Sequence, residues 1–205
     1  MLLTEFDDNR QAIINPQDLH QPIEGFPKVV ISCFSRVTFA RLLENYDHEV
    51  IARTSMANFE VVVYGITIGD QQIGAFNAPV GASSCVGIIE DLIQFGMEKL
   101  VLFGTCGVLD RDIEATSIII PIAALRDEGT SYHYLPASDE VEVNKKTPSD
   151  LPSLSGKPQG FLSVRKSVDD RCTVPGNHRQ DEATKGSRSH LCGYGMFSSG
   201  SFSSL

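Results

Sequence analysis

One stretch constrains this chain more than any other: residues 99–110, KLVLFGTCGVLD. Its apolar run at 100–103 is unbroken, which suits a strand buried on both faces. The run passes directly into Gly104, Thr105, Cys106 and Gly107. Small residues here let backbone N–H groups and one hydroxyl gather round an anion, because glycine has no Cβ to hold a ligand off the main chain. In an open parallel sheet, ligands bind outside the carboxyl ends of central strands. The same four residues would also suit an ordinary tight strand–helix turn.

Composition narrows the function classes. The chain has 205 residues, 41% of them hydrophobic and 21% charged, with a formal charge of −9. That balance fits one globular domain with a real core, or one domain plus a poorly folded tail, and argues against a nucleic-acid partner, since no basic face offsets the negative charge. The five cysteines Cys33, Cys85, Cys106, Cys172 and Cys192 form no CxxC pair. An odd, scattered set of this kind reads as reduced thiols in the cytoplasm. The acidic N-terminus MLLTEFDDNR resembles no targeting segment, and no apolar run approaches the ~18 residues of a membrane span.

Read in order, residues 1–27 form a polar arm holding Pro16 and Pro22. Residues 28–34 (KVVISCF) predict a strand. Ser35 then caps a helix over about 36–46, with Val37, Ala40, Leu42 and Leu43 on its apolar side. Residues 59–68 and 72–80 predict two strands joined at Gly69-Asp70, a hairpin signal. A second small-residue turn, Gly81 to Ser84, leads into a helix over about 84–97. Residues 116–121 (TSIIIP) predict another buried strand. After about residue 145 the pattern dissolves into Pro, Ser, Gly and Lys with few aliphatic side chains, so the organised domain is expected over 28–145 and a low-order tail over 146–205.

GTCGVLD, followed at this spacing by a strand, a proline and RDEGTSYHY, resembles the nucleoside phosphorylase family, in its uridine phosphorylase and hexameric purine nucleoside phosphorylase branch. The resemblance covers roughly residues 28–144. It implies a three-layer α/β/α domain with a mixed twisted sheet, here incomplete at the C-terminus. It also implies phosphorolysis: inorganic phosphate, the co-substrate, attacks ribose C1′, with no metal or organic cofactor and with an oligomer, hexameric in the family, as the working unit. On this reading Gly104, Thr105, Cys106 and Gly107 hold phosphate together with Arg36, whose guanidinium suits a tetrahedral oxyanion. Arg36 would otherwise be a solvated arginine at a helix start. Val80 to Ser84 (VGASS) matches the family's glycine-rich turn near the ribose, and Val80, Gly81 and Ala82 are its expected nucleoside-binding residues. Arg126 could reach the base side or pair with Asp127. His133 is read as a core-edge histidine rather than a catalytic one, and His20 as a candidate to reach a neighbouring subunit's ribose. Two family arginines have no match, since Leu102 and the region of Ala57 and Asn58 stand in their places.

The tail adds one observation. The family's second half should carry a ribose-binding motif resembling DMECSA, which the printed residues lack. Back-translating residues 165–205 with suitable synonymous codons and reading one nucleotide later yields a family-like run that includes AICVDMECSAVAALAA. A shifted codon takes most of its letters from positions that the printed residues already fix, so this frame cannot spell anything at will. The tail is therefore read as out of frame, with the shift between about residues 144 and 165. The competing readings are a non-catalytic nucleoside- or phosphate-binding subunit that joins intact homologues, and another Rossmann-like nucleotide binder; the latter ranks last because GTCG lacks the G-x-G-x-x-G spacing.

Overall fold

The computed structural model describes residues 5–108, 118–142, 162–167 and 191–193. Two compact units emerge, one spanning Phe6–Leu102 and the other beginning at Phe103.

The first unit is built on a five-stranded mixed sheet. After a single helical turn, α1 (Pro16–Leu19), come β1 (Val29–Cys33), α2 (Arg36–Asn45), β2 (His48–Met56), β3 (Phe59–Ile68), β4 (Gln71–Asn77), α3 (Ala82–Phe95) and β5 (Lys99–Phe103). The strand order is β2-β3-β4-β1-β5. β2, β3 and β4 form an antiparallel meander, while β1 lies parallel to β4, with Cys33 opposite Asn77. β5 sets off beside the start of β1, since the N–H groups of Glu98 and Lys99 both donate to Lys28 O at 2.9 Å. The expected hairpin is present at Gly69, whose φ of 61° is the left-handed backbone that such a turn requires.

Side-chain alternation along β3 fixes the layering. Val61 and Val63 face α3 and enter the main core with Val30, Phe76, Ile88, Leu92 and Leu102. Tyr64, one residue on, points to the opposite face and meets Phe39 of α2, ring centroids 6.0 Å apart. Helices therefore cover both faces of the sheet. Burying a side chain such as Ile88 or Leu92 contributes about 1.5–3 kcal/mol, so this seam is the main source of the unit's stability.

Three expectations need correction. Phe39 is the buried residue of α2, whereas Val37 and Ala40 are exposed; the Ser35 cap, whose Oγ accepts from the Thr38 N–H at 3.2 Å, starts the helix in a phase that turns residue 39 inward. β5 is not a central strand buried on both faces. Among the described residues it is the edge of the sheet, with Leu100 and Leu102 in the core and Val101 43% exposed on the face α3 does not cover. An apolar run tells of burial on one face at least; it carries no information about a neighbouring strand. The β2 strand was absent from the sequence reading altogether.

In the second unit β6 (Cys106–Val108) pairs antiparallel with β10 (Leu191–Gly193). β7 (Ile118–Leu125) pairs antiparallel with β8 (Glu140–Glu142) and parallel with β9 (Leu162–Ser167). β9 and β10 lie beyond residue 145, within the stretch read as the tail. Pro121 sits in β7 where the register with β9 shifts, which suits a residue with no N–H to donate. The rest of the tail, with Cys172, lies outside the described residues, as do residues 109–117.

Candidate functional site

The parallel pair β1 and β4 sets the geometry of the first unit's candidate site. Their carboxyl ends are tied together: Ala78 N–H and Asn77 Nδ2 both donate to Cys33 O, at 3.0 and 2.7 Å. α2 begins just beyond β1, and α3 just beyond β4, so two helix N-termini rise from one edge of the sheet. That edge is where an α/β sheet binds ligands, and both macrodipoles favour negative charge there.

Each terminus is built differently. At α2, Ser35 satisfies the Thr38 amide, and Arg36, the first helical residue, is exposed with no hydrogen bond or ion pair among the described residues. At α3 the cap is Gly81, with φ 105° and no side-chain hydrogen bond to the helix. Nothing stands within 4 Å of where a Cβ would be, so the need for glycine at residue 81 is one of backbone conformation and not of room. The first bond of α3 runs from Cys85 N–H to Gly81 O, which leaves the N–H groups of Ala82, Ser83 and Ser84 without an acceptor inside the helix. Sequence reasoning picked Val80, Gly81 and Ala82. The small-residue turn expected at Gly81 to Ser84 also takes in Ser83 and Ser84, whose amides complete that open turn. The Cys33 thiol is buried at the end of β1, and burial pushes its pKa up.

In the second unit Gly104 and Thr105 follow the end of β5, and Thr105 is exposed, its hydroxyl without a partner among the described residues. Cys106 and Gly107 belong to β6, opposite Gly193 and Cys192. GTCG is thus a connection between two strands rather than a strand–helix turn, and Gly104 is not among the glycines with positive φ.

Arg126, at the carboxyl end of β7, is buried and occupied. Nε donates to Ser131 Oγ at 2.9 Å, Nη1 to Pro136 O and Ser138 Oγ at 2.5 and 3.0 Å, and Nη2 to Leu135 O at 3.1 Å. Its guanidinium carbon also stands 4.0 Å from the centroid of the Tyr132 ring. The guanidinium organises its own loop, around the 3₁₀ turn Thr130–His133, and those donors are taken. Glu128 holds that turn from outside by accepting from the Ser131 N–H. His133 is exposed, not packed at a core edge. His20 pairs within its own chain, 3.3 Å from Asp91.

A family model, described as Phosphorylase superfamily, matches residues 28–150, more than half of the chain. The chain belongs to the phosphorylase superfamily. Among curated superfamily members, the uridine phosphorylase of Treponema pallidum is 33% identical over 79 residues, 38% of this chain and 31% of that protein. The guanosine phosphorylase of Halorubrum lacusprofundi is 27% identical over 88 residues, 43% of this chain and 35% of that one. The chain thus spans about a third of the length of these relatives. The superfamily's fold is matched over far more of it. The uridine phosphorylase structure from Vibrio fischeri superposes with a TM-score of 0.66 at 18% identity, over 90% of this chain and 77% of that one. The Toxoplasma gondii purine nucleoside phosphorylase gives 0.70 at 17% identity, over 86% and 73%. No helix among the described residues is long and apolar enough to cross a membrane.

Proposed function

We propose that the chain carries the phosphate-holding half of a nucleoside phosphorylase. In that reaction a phosphate oxygen bonds to ribose C1′ as the C1′–N bond breaks. The bonding pair leaves on the base nitrogen, which takes up a proton, and the products are free base and ribose 1-phosphate. The observation that carries the reading is Arg36, exposed at the start of α2 without a partner among the described residues, on the same sheet edge as the open N-terminus of α3. In the second unit, the resemblance assigns phosphate to Thr105, whose exposed hydroxyl has no partner among the described residues and is flanked by Gly104, Cys106 and Gly107. The turn formed by Val80, Gly81 and Ala82 serves the nucleoside. The relatives' names, uridine and guanosine phosphorylase, support a pyrimidine or purine nucleoside as substrate. Phosphate is the co-substrate, no metal or organic cofactor takes part, and the chain works in the cytoplasm as a homo-oligomer.

As printed, the chain turns over little. The groups that would fix the sugar over phosphate are spelled only in the shifted frame of residues 165–205. Losing that placement forfeits much of a proximity term of roughly 7–11 kcal/mol. Two measurements test this. Isothermal titration of the printed chain should show phosphate binding. A gene with one nucleotide removed upstream of codon 165 should yield an enzyme that releases base from uridine or inosine only when phosphate is present. Equal turnover by the printed and corrected chains would sink the argument from the tail. Absence of phosphate binding in both would sink the phosphorylase reading. Binding without turnover, together with co-purification with an intact homologue, would favour the alternative of a non-catalytic subunit.

A further inference from the structure

The N-terminal arm is fastened to its own chain at a polar cluster that the proposed reaction does not use. Asp91, on the second half of α3, accepts a short hydrogen bond from the Thr54 hydroxyl of β2 through Oδ2 and pairs with His20 Nε2 of the arm at 3.3 Å through Oδ1. Thr54 is 4% exposed, Asp91 is mostly covered, and the His20 ring stands edge-on to Phe95, centroids 5.1 Å apart. Downstream, Ile23 N–H donates to Phe95 O at 3.0 Å and Phe26 packs on the Phe95 ring. Upstream the hydrogen bonds of Asn9, Gln11, Ala12 and Asn15 close only on the arm itself, and Ile13, Ile14 and Leu19 are exposed.

We propose that the arm is a strap with a latch: His20 closes it on Asp91, and Thr54 holds the Asp91 carboxylate in place to receive it. The two oxygens of Asp91 divide the work. One is committed to a buried hydroxyl of the sheet and the other to a residue that can leave. Opening the latch frees the arm back to the hydrophobic anchor at Phe26, breaks the Ile23–Phe95 bond and uncovers the second half of α3, while the Thr54–Asp91 bond and the sheet stay intact. It is a local opening of the kind native proteins undergo at a fraction of their global stability. His20 is thereby committed within its own chain.

Amide hydrogen exchange on the full chain reads the strap directly, because the Ile23 amide is protected only when the arm is closed. In His20→Ala, Ile23 exchange should rise about tenfold while the amides of β1 and β4 keep their protection. Asp91→Asn should do the same, and the double variant should be no worse than either single one, since both remove one interaction. Thr54→Val, which frees Asp91 to turn away, should give a smaller rise. Unchanged Ile23 exchange in His20→Ala would overturn the latch. So would a rise shared equally by β1 and β4, which would mean general destabilisation, or a double variant whose effects add.

Discussion

Two arginines were candidates for ligand contact, and the structure treats them in opposite ways. Arg36 stands exposed at the first turn of α2 with no partner among the described residues, whereas Arg126 is buried under two backbone carbonyls, two serine hydroxyls and a tyrosine ring. An arginine offers five N–H donors in a fixed fork. Where the protein fills that fork, the side chain shapes a loop; where it leaves the fork open at the carboxyl ends of parallel strands, the donors remain for an anion. The comparison teaches that donor occupancy, rather than residue type or position in a motif, shows which arginine is already committed to its own loop and which is left for a ligand to be sought at.

The sharpest way to break the contrast is to remove each side chain and follow stability and phosphate affinity separately. Arg126→Ala strands the Leu135 and Pro136 carbonyls and should lower unfolding free energy by about 2–4 kcal/mol, read from the urea midpoint. Arg126→Lys keeps the charge but not the fork and should recover less than half of that. Arg36→Ala should do the reverse: stability stays within about 0.5 kcal/mol, and phosphate affinity by titration falls roughly tenfold to a hundredfold. Thr105→Ala is expected to weaken phosphate by about 1–3 kcal/mol. An Arg36 variant that binds phosphate normally, or an Arg126 variant that folds normally and loses phosphate, would reverse the two assignments.

The smallest effect concerns the buried thiol behind Arg36. Burial raises the Cys33 pKa, so the folded chain holds that proton to higher pH than the unfolded chain does. Its contribution to stability is therefore level below the unfolded thiol's pKa, about 8.5, and declines as pH rises beyond it. A Cys33→Ser variant should lose that decline in a comparison of urea midpoints across the alkaline range.

Much of the first unit was legible in the sequence because its elements announce themselves locally. β3 matches its expected range, and α2 and α3 fall within two residues of theirs, each bounded by a cap or a glycine. β2 was missed for a physical reason: an edge strand is wetted along most of its length, so HEVIARTSM shows no clean alternation. The place of β5 was misread because a run of apolar side chains records what touches it, not how many strands flank it. Of the candidate site, the open turn at Gly81 was visible as a small-residue run before a helical period. The occupation of Arg126 was not, because its partners lie 5 to 12 residues downstream and meet it only once the loop has closed. The stretch Val80 to Ser84 was legible as a motif, but which of its amides stay unbonded became clear only once the first bond of the helix, from Cys85 to Gly81, was placed.

β5 also bears on what happens to such a chain after synthesis. With Val101 facing out and no strand beyond β5 among the described residues, the sheet ends in a row of backbone donors and acceptors that another polypeptide can pair with. The chain's abundance in a cell would then depend less on how firmly the α3 core holds than on whether proteases or a passing strand reach that flank first. Its lifetime becomes a matter of quality control, which reads an open sheet edge before it reads a packed core.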